Sequence, residues 1–265
     1  MNKYVFLLIL FFIVSYSTAK DKKIKKPIII EFPTMEPDEM PCIIKQSSKL
    51  SVCKELPVFS SDISKGPCEG IDVSHYQGNI NWSKVAQNKD ITYAYIKSSE
   101  GSTIQDDTYK YNIKEARKEG LKVGAYHFYR ANVDPQEQLE NMTSIVKKSD
   151  IDLLPIIDVE RIGKNISKAQ FVNKLKTFMN AVTKHYGRKP ILYTFVNFYN
   201  KYLADEGFDE YKLMIAFYKD YEPELKDGKK YIIWQYSSTG NITGIRGDVD
   251  QSKTMNGASL SDILF

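Results

Sequence analysis

The sequence predicts an α/β fold in the form of an irregular TIM-like β/α barrel, with eight strands and few helices in its last third. From residue 70 onward, short apolar, β-branched or aromatic runs alternate with helix-like segments, as expected for parallel strands joined by crossover helices. The runs start near residues 70, 92, 122, 153, 190, 212, 231 and 249. The first five gaps can each hold a crossover helix, whereas the last two are tight for one.

The eight predicted strands are short runs at residues 70–74, 92–97, 122–128, 153–160, 190–194, 212–217 and 231–236, and around residue 249. An open doubly wound sheet is the rival arrangement of such units. However, no glycine-rich phosphate loop of the form GxGxxG or GxxxxGK[ST] occurs in the chain. We therefore expect a closed barrel, in which the first and last strands are neighbours.

Three of the intervening segments carry clear helix signals. Residues 107–120 hold charged helix formers and stop at a glycine. Residues 135–148 follow Asp134, which we expect to cap a helix. Residues 167–186 begin at Ser167, carry apolar side chains at helical spacing and stop at Gly187.

The first 69 residues differ from this pattern. Residues 1–19 combine a lysine, an apolar run of ten residues at 5–14 and small residues at 17–19, which is typical of a secretory signal peptide. The apolar run is too short to cross a bilayer. We therefore expect a protein without stable membrane association, either secreted or delivered to a lysosome- or phagosome-like compartment.

Residues 20–69 read as an irregular N-terminal extension rich in proline and lysine, and residues 70–265 as the barrel domain. The basic run at 20–26 is expected to be a solvated tail or to be attracted to an anionic surface such as a bacterial wall. Cys42, Cys53 and Cys68 are the three cysteines of the chain. In an oxidising compartment we expect one disulfide among them, and all three pairings remain open.

Composition excludes several classes of protein. The chain has 37 Lys+Arg against 33 Asp+Glu, and a net charge of +4 is too small for a dedicated nucleic-acid binder. Its three histidines never stand at i, i+4, so a helical zinc motif is absent. No GxSxG nucleophile motif occurs. His127 is expected either to hydrogen-bond in the barrel mouth or to be a satisfied core histidine.

Acidic residues lie within, at the end of or just after several predicted strands, and the active sites of β/α barrels lie at the C-terminal ends of the strands. They are Asp72, Glu100, Asp158, Glu160 and Asp250. Because strand side chains alternate faces, Asp158 and Glu160 point the same way, with Cβ atoms roughly 6–7 Å apart. Mutual repulsion and partial burial should raise one pKa of this pair. A protonated acid beside an ionised one is the arrangement used in glycoside hydrolysis.

Residues 70–256 resemble the glycoside hydrolase family 25 lysozymes, or Chalaropsis-type muramidases. The matching stretches, in order, are GIDVSHYQG, NW, YIKSSEG, GLKVGAYHFYR, LPIIDVE, ILYT, IAFY, WQYS and GDVDQS. The family's usual NVD-type ending is replaced here by GDVDQS, which adds Asp248 beside Asp250. Residues 20–69 lie outside the resemblance, so it says nothing about the role of the extension.

The resemblance implies hydrolysis of the β-1,4 bond between N-acetylmuramic acid and N-acetylglucosamine in bacterial peptidoglycan. By position, Glu160 is similar to the general acid/base, and Asp158 to a partner that stabilises an oxocarbenium-like charge or a substrate-derived oxazolinium. Asp72 and Asp250 complete the acidic cluster. No metal, cofactor or nucleic-acid partner is implied, and we expect a monomer. The expected substrate-binding side chains are Gln77, Glu100, Tyr126, Phe128, Tyr193 and Gln235.

Two alternatives stay open at this point. One is a hydrolase of another acetamido-sugar polymer such as chitin, because the chemistry at the cleaved bond is shared. The other is a catalytically silent peptidoglycan-binding lectin on the same barrel. The presence of all four acids, Asp72, Asp158, Glu160 and Asp250, favours an enzyme, since a lectin would have no need of the full set.

Overall fold

The computed structural model describes residues 66–265, and within them a single sheet closes into a barrel. Its strands are β1 (Glu69–Val73), β2 (Ile91–Glu100), β3 (Ile104–Gln105), β4 (Lys122–Phe128), β5 (Ile156–Asp158), β6 (Ile191–Phe195), β7 (Leu213–Ala216), β8 (Ile233–Gly240) and β9 (Val249–Thr254). The strand order is β1-β9-β8-β7-β6-β5-β4-β2-β3, and a pairing of β1 with β2 closes the ring. The short β3 extends only the end of β2, so eight strands form the predicted barrel.

Helices cover the outside of the first two thirds of the barrel. They are α1 (Trp82–Val85), α2 (Tyr109–Lys118), α3 (Pro135–Ile145), α4 (Lys168–Tyr186), α5 (Val196–Phe198), which continues as a π-helical turn at Tyr199–Leu203, and α6 (Leu260–Ile263). The five gaps predicted to hold helices each contain one. The last third has only the four-residue α6, as the spacing predicted.

The predicted helix caps are confirmed. The Asp134 side chain accepts hydrogen bonds from the backbone N–H groups of Gln136 and Glu137 at the start of α3. Ser167 and Gln170 form a reciprocal capping box at the start of α4, and Gly187 ends that helix in the left-handed conformation. These contacts satisfy backbone groups that a helix terminus otherwise leaves unpaired.

The last strand departs from the predicted parallel sheet. Strands β1, β2 and β4 to β8 run parallel, but β9 is antiparallel to both β8 and β1. The connection from β8 to β9 spans residues 241–248. A parallel crossover needs about a dozen residues or more, so this short loop can only return the chain in the opposite direction. Asp250 therefore lies at the start of β9 rather than at its end, and still at the barrel mouth.

The barrel interior is filled by large side chains opposite glycines. Tyr93 and Tyr95 on β2 are fully buried inside the ring. A Cβ atom at Gly70 on β1 would overlap the Tyr93 ring, and one at Gly124 on β4 would overlap the Tyr95 ring. Glycine on both neighbouring strands thus makes room for two interior tyrosines, which close the barrel beneath its mouth. The outer faces of the strands pack against the helices.

Cys68 is a free, buried cysteine whose backbone N–H donates to the Thr254 hydroxyl at 2.9 Å. Two of the three predicted disulfide pairings are therefore not formed in this structure. Cys42, Cys53 and the predicted signal peptide and extension up to residue 65 lie outside the described residues. Within residues 66–265, no helix is long and apolar enough to cross a membrane.

Candidate active site

A cleft opens at the barrel mouth, where the parallel strands end and β9 begins. Its walls are formed mainly by polar and aromatic side chains over the apolar interior. The lining comprises Asp72, Ser74, Tyr76, Tyr95, Lys97, Tyr126, Phe128, Ile156, Asp158, Glu160, Tyr193, Met214 and Asp250. All four predicted catalytic acids are therefore brought together, from β1, β5 and β9. Three of the six predicted substrate-binding side chains, Tyr126, Phe128 and Tyr193, line the same cleft.

Asp72 and Asp250 are directly opposed across the antiparallel pair of β1 and β9. Their carboxyl groups lie within hydrogen-bonding reach of each other. Burial, together with the charge of Asp250, raises the pKa of Asp72 well above its ordinary value. Burial also raises the pKa of Asp250. The two carboxyl groups can therefore share a proton at a pH where isolated aspartates are ionised.

Gln235 on β8 holds Asp72 in place from behind. Its Nε2 donates to both carboxyl oxygens of Asp72, at 3.1 and 3.0 Å. Its Oε1 accepts from the hydroxyls of Tyr193 at 2.9 Å and Tyr218 at 2.7 Å. Because the two phenols occupy the amide oxygen, the amide nitrogen is directed at Asp72. The structure thus places Gln235 behind Asp72, outside the cleft lining.

Asp158 is 7% exposed, and its Oδ1 has no hydrogen-bond partner among the described residues. Burial raises the pKa of Asp158 well above its ordinary value, and the charges of Glu160 and Asp72 add to this effect. Only the nearby Lys97 opposes it. Asp158 also lines the cleft, so its carboxyl group lies beside the space that a ligand would fill.

Glu160 follows β5 by two residues and is half-buried, so it reaches both the cleft and solvent. Burial raises the pKa of Glu160, and Asp250 contributes to the rise, while Arg161 opposes it. A carboxyl group that is accessible and keeps its proton to a higher pH than usual is suited to general acid catalysis. The sequence predicted that one pKa of this pair would be raised, whereas burial raises the pKa of both Asp158 and Glu160. The two residues differ in exposure, since Asp158 is buried and Glu160 is half-buried.

Glu100 has the opposite environment. Burial alone would raise the pKa of Glu100, but hydrogen bonds and charges from Lys97 and Arg130 lower it. Lys97 Nζ lies 2.7 Å from Glu100 Oε2, and Arg130 Nε donates to Oε1 at 2.9 Å. Glu100 is thus an ionised anchor for two cations, and it does not line the central cleft.

Gln77 and His127, which were singled out in the sequence, are both engaged in hydrogen bonds within the protein. Gln77 caps the turn that follows β1: its Oε1 accepts from Ser74 N at 2.9 Å, and its Nε2 donates to the Asp248 carbonyl. His127 is fully buried and hydrogen-bonded to Ser99, and burial lowers its pKa to about 4. It is therefore a neutral core histidine.

Six residues that line the cleft were not among the predicted site residues: Ser74, Tyr76, Tyr95, Lys97, Ile156 and Met214. Lys97 is inside the quoted motif YIKSSEG, but it stands three residues from Glu100. A regular strand would place these two side chains on opposite faces. Tyr76 is 80% exposed at the rim, and Tyr218 supports Gln235 from outside the cleft lining. Lys97, Tyr76 and Tyr218 all stand inside the matched motifs, where they had no further signal than being polar or aromatic.

Within residues 66–265, no group of three or more His, Cys, Asp or Glu side chains is arranged to hold a metal ion. The chemistry available to the described side chains is that of carboxyl groups, two nearby cations and aromatic rings. Such a set can transfer a proton and stabilise a developing positive charge on a sugar-like ligand.

The chain is similar to a known protein family, to curated proteins and to solved structures. Residues 71–245 match the profile of the family described as Glycosyl hydrolases family 25. The uncharacterized protein YegX of Escherichia coli K12 is 35% identical over 185 residues, which cover 68% of this chain and 67% of that protein. Lysozyme M1 of Streptomyces globisporus is 31% identical over 206 residues, covering 72% and 68% respectively. A solved structure of a family 25 glycosyl hydrolase from Bacillus anthracis superposes with a TM-score of 0.65 at 29% identity, over 71% of this chain and 89% of that one.

Proposed function

The chain belongs to glycosyl hydrolases family 25, and from this premise we propose that it cleaves the β-1,4 bond between N-acetylmuramic acid and N-acetylglucosamine in bacterial peptidoglycan. The family resemblance found in the sequence is thereby confirmed, as is a glycoside hydrolase of the lysozyme type. The identity of the cleaved bond and the roles of individual residues go beyond the family assignment and are argued below.

One observation carries the proposal: Asp158 and Glu160 stand two residues apart at the cleft but differ in exposure. Asp158 is deeply buried with a free acceptor oxygen, and Glu160 is half-buried and reaches the open cleft. Glycoside hydrolysis needs one group that delivers a proton and a second that stabilises positive charge. The difference in accessibility assigns the first role to Glu160 and the second to Asp158.

In the first step, Glu160 donates its proton to the glycosidic oxygen as the bond breaks. The same residue then removes a proton from the incoming water. Asp158 faces the carbon on which positive charge develops. Its carboxylate can oppose that charge directly, or it can accept a hydrogen bond from the N–H of the sugar's 2-acetamido group while the acetamido oxygen forms an oxazolinium. Either role requires Asp158 to be ionised during the reaction. Burial and the charges of Glu160 and Asp72 raise the pKa of Asp158, and the charge of Lys97 opposes that rise, so the reaction needs a pH above the raised value.

Asp72 and Asp250 lie on the opposite wall of the cleft and act on the reacting acids through their charge. The charge of Asp250 contributes to the raised pKa of Glu160. The charge of Asp72 likewise raises the pKa of Asp158. We assign these two residues to tuning the protonation of the reacting acids. Tyr126, Phe128 and Tyr193 line the cleft and offer apolar faces on which sugar rings can stack.

The proposal also includes the domain boundaries, the export and the oligomeric state expected from the sequence. Residues 1–19 are proposed to direct export, residues 20–69 to form an extension, and residues 70–265 to form the catalytic domain. The enzyme is proposed to act as a monomer on walls outside the cell or in a phagosome-like compartment. Strand β1 begins at Glu69, next to the proposed boundary. A truncation starting near residue 67 should therefore retain activity.

The direct test is digestion of purified peptidoglycan by wild type and by Glu160→Gln, with mass spectrometry of the soluble fragments. Fragments ending in reducing muramic acid are expected from wild type. The variant keeps the side-chain shape but lacks a transferable proton, so its rate should fall about 10²–10⁴-fold. Near-wild-type activity of Glu160→Gln would refute its role. Absence of fragments from both proteins, with wall binding retained, would favour the lectin or a chitin-like substrate.

A further inference from the structure

A second concavity, which we call the side groove, adjoins the cleft and shares Glu160 with it. It runs between the loops that follow β2, β4 and β5 and ends at the aromatic side chains of Phe198 and Tyr202. Its volume is about 810 Å³, which is within the range of about 300–1,000 Å³ that is usual for ligand sites. A ligand bound at Glu160 could therefore extend into the side groove.

The side groove is positively charged. Arg130, Arg161 and Lys164 line it, against two carboxyl groups, Glu100 and Glu160. Glu100 is already occupied by its contacts with Lys97 and Arg130. Arg161 and Lys164 have no carboxylate partner among the described residues, and both are exposed. Two cations therefore remain available to an anionic ligand.

The cations are grouped around one ring. The guanidinium carbons of Arg130 and Arg161 lie 4.7 and 6.0 Å from the centroid of Phe128, and Lys97 Nζ lies 5.4 Å from it. Contacts of this kind favour placing cations over an aromatic face. Phe128 also lines the cleft, so the cationic cluster begins where the sugar would lie.

The groove is preformed rather than assembled by a ligand. The amide of Asn132 donates to the Lys164 carbonyl at 2.8 Å and so joins the two loops that form its walls. Gly163, with φ +87°, packs so closely on Asn132 that a Cβ there would clash. The buried Gln138 holds Arg130 through both backbone groups, at 2.8 and 3.0 Å. A fixed groove costs little conformational entropy when a ligand binds.

We propose that the side groove binds the carboxylate-bearing peptide that is attached to muramic acid. This inference rests on the proposed function, and it deepens it by naming a feature of the substrate that chitin lacks. The free cations match the peptide carboxylates. The apolar side chains of Ile162, Val133 and Phe198 in the same groove match the small aliphatic side chains of such a peptide. A neutral glucosamine polymer would leave both sets of contacts unused.

The test compares three forms of one glycan preparation. The first is peptidoglycan with its native peptides. In the second, the peptide carboxyl groups are converted to amides with excess methylamine, which removes their charge and keeps their bulk. In the third, an amidase has removed the peptides. The measured quantity is kcat/KM for release of reducing ends from each form.

The variant is Arg161→Gln combined with Lys164→Gln. The control is Lys110→Gln combined with Lys114→Gln, which removes the same charge from two exposed lysines on α2, outside both the cleft and the side groove. The control corrects for general attraction of a basic protein to an anionic wall. Each protein is scored by its ratio of kcat/KM on native over amidated substrate. A change in absolute rate caused by the proximity of Arg161 to Glu160 cancels in that ratio.

Wild type is expected to prefer the native form over the amidated and peptide-free forms by about 3- to 10-fold, in line with two exposed charge contacts. The double variant should lose most of this preference, and the control should keep it within about twofold. Equal rates of wild type on all three forms would overturn the inference and leave the proposed function standing. No cleavage of any form would overturn the proposed function, and the inference with it.

Discussion

The two walls of the cleft both carry carboxyl groups but surround them differently. The wall of β1, β8 and β9, which we call the acidic wall, holds Asp72 and Asp250 against the neutral amide of Gln235. The wall of β2, β4 and β5, the cationic wall, places Lys97 and Arg130 beside Glu100. Burial raises carboxyl pKa values on the acidic wall, whereas cations lower that of Glu100.

The difference shows that environment rather than residue type decides the direction in which the pKa of each acid is shifted. Glu100 ends β2 and Glu160 follows β5, so both belong to the cationic wall. Glu100 is nevertheless held as an anion by two cations. Glu160 keeps a raised pKa because burial and Asp250 outweigh the nearby Arg161. Only an acid that retains its proton and reaches the cleft can serve as a proton donor.

Among the changes that compare the two walls, the largest effect is expected from removing the carboxylate of the buried Asp158, which ends β5 of the cationic wall. Asp158→Asn keeps the shape of the side chain but cannot carry a negative charge, so kcat on peptidoglycan should fall about 10²–10³-fold. Asp220→Asn, at an exposed aspartate outside the cleft, is the control and should behave as wild type. If Asp158→Asn stays within a few-fold of wild type, Asp158 is a structural neighbour only.

Glu100→Gln removes the carboxylate that pairs with Lys97 and Arg130 on the cationic wall. This change leaves Lys97, whose side chain is 10% exposed, without its carboxylate. Loss of one partner of a buried ion pair lowers the free energy of unfolding by about 3–5 kcal/mol. For a domain of this size, each kcal/mol lowers the melting temperature by about 2–4 °C. Lys118→Gln, which opens the exposed pair with Glu115, is the control for thermal unfolding. An unchanged melting temperature for Glu100→Gln would contradict the anchoring role.

Gln235→Met tests the support of the acidic wall. The variant removes the donor to Asp72 and the shared acceptor of Tyr193 and Tyr218. Because the Gln235 hydrogen bond lowers the pKa of Asp72, its loss should raise that pKa further. We expect about a 10-fold fall in kcat/KM, as for one misplaced supporting group, with a shifted pH profile. A fall with an unchanged profile would mean that Gln235 only fills space.

The smallest effect concerns stability and pH. Because burial raises the pKa of Asp250, the protonated side chain contributes to the stability of the folded state. This contribution is fully present at pH values below the ordinary pKa of an aspartate and is lost as the pH rises through the raised pKa. Asp250→Asn removes the repulsion with Asp72, so its melting temperature should exceed that of wild type at pH 8 by about 2–4 °C per kcal/mol gained. At pH 4 the difference should shrink. Asp248→Asn, at the exposed neighbour, is the control.

Much of the site could be predicted from local pattern. The alternation of side chains along an extended strand placed Asp158 and Glu160 on one face, and strand ends identified Asp72 as a mouth residue. Lys97 could not be assigned in this way. A register shift between Lys97 and Ser99 against β4 breaks the alternation and allows Lys97 to reach Glu100. Such irregularities depend on the neighbouring strand and leave no simple trace in the sequence.

The sequence by itself determined the succession of strands and helices along the chain, the helix caps at Asp134 and Ser167, and the placement of each acid at or near a strand end, because each depends on residues close together in the chain. The tertiary structure alone decided that β9 runs antiparallel and that Gln235 holds Asp72. These two residues are 163 positions apart. Contacts over such distances are set by how the ring of strands closes, and the pKa values of the acids follow from the burial and the charges that closure brings together.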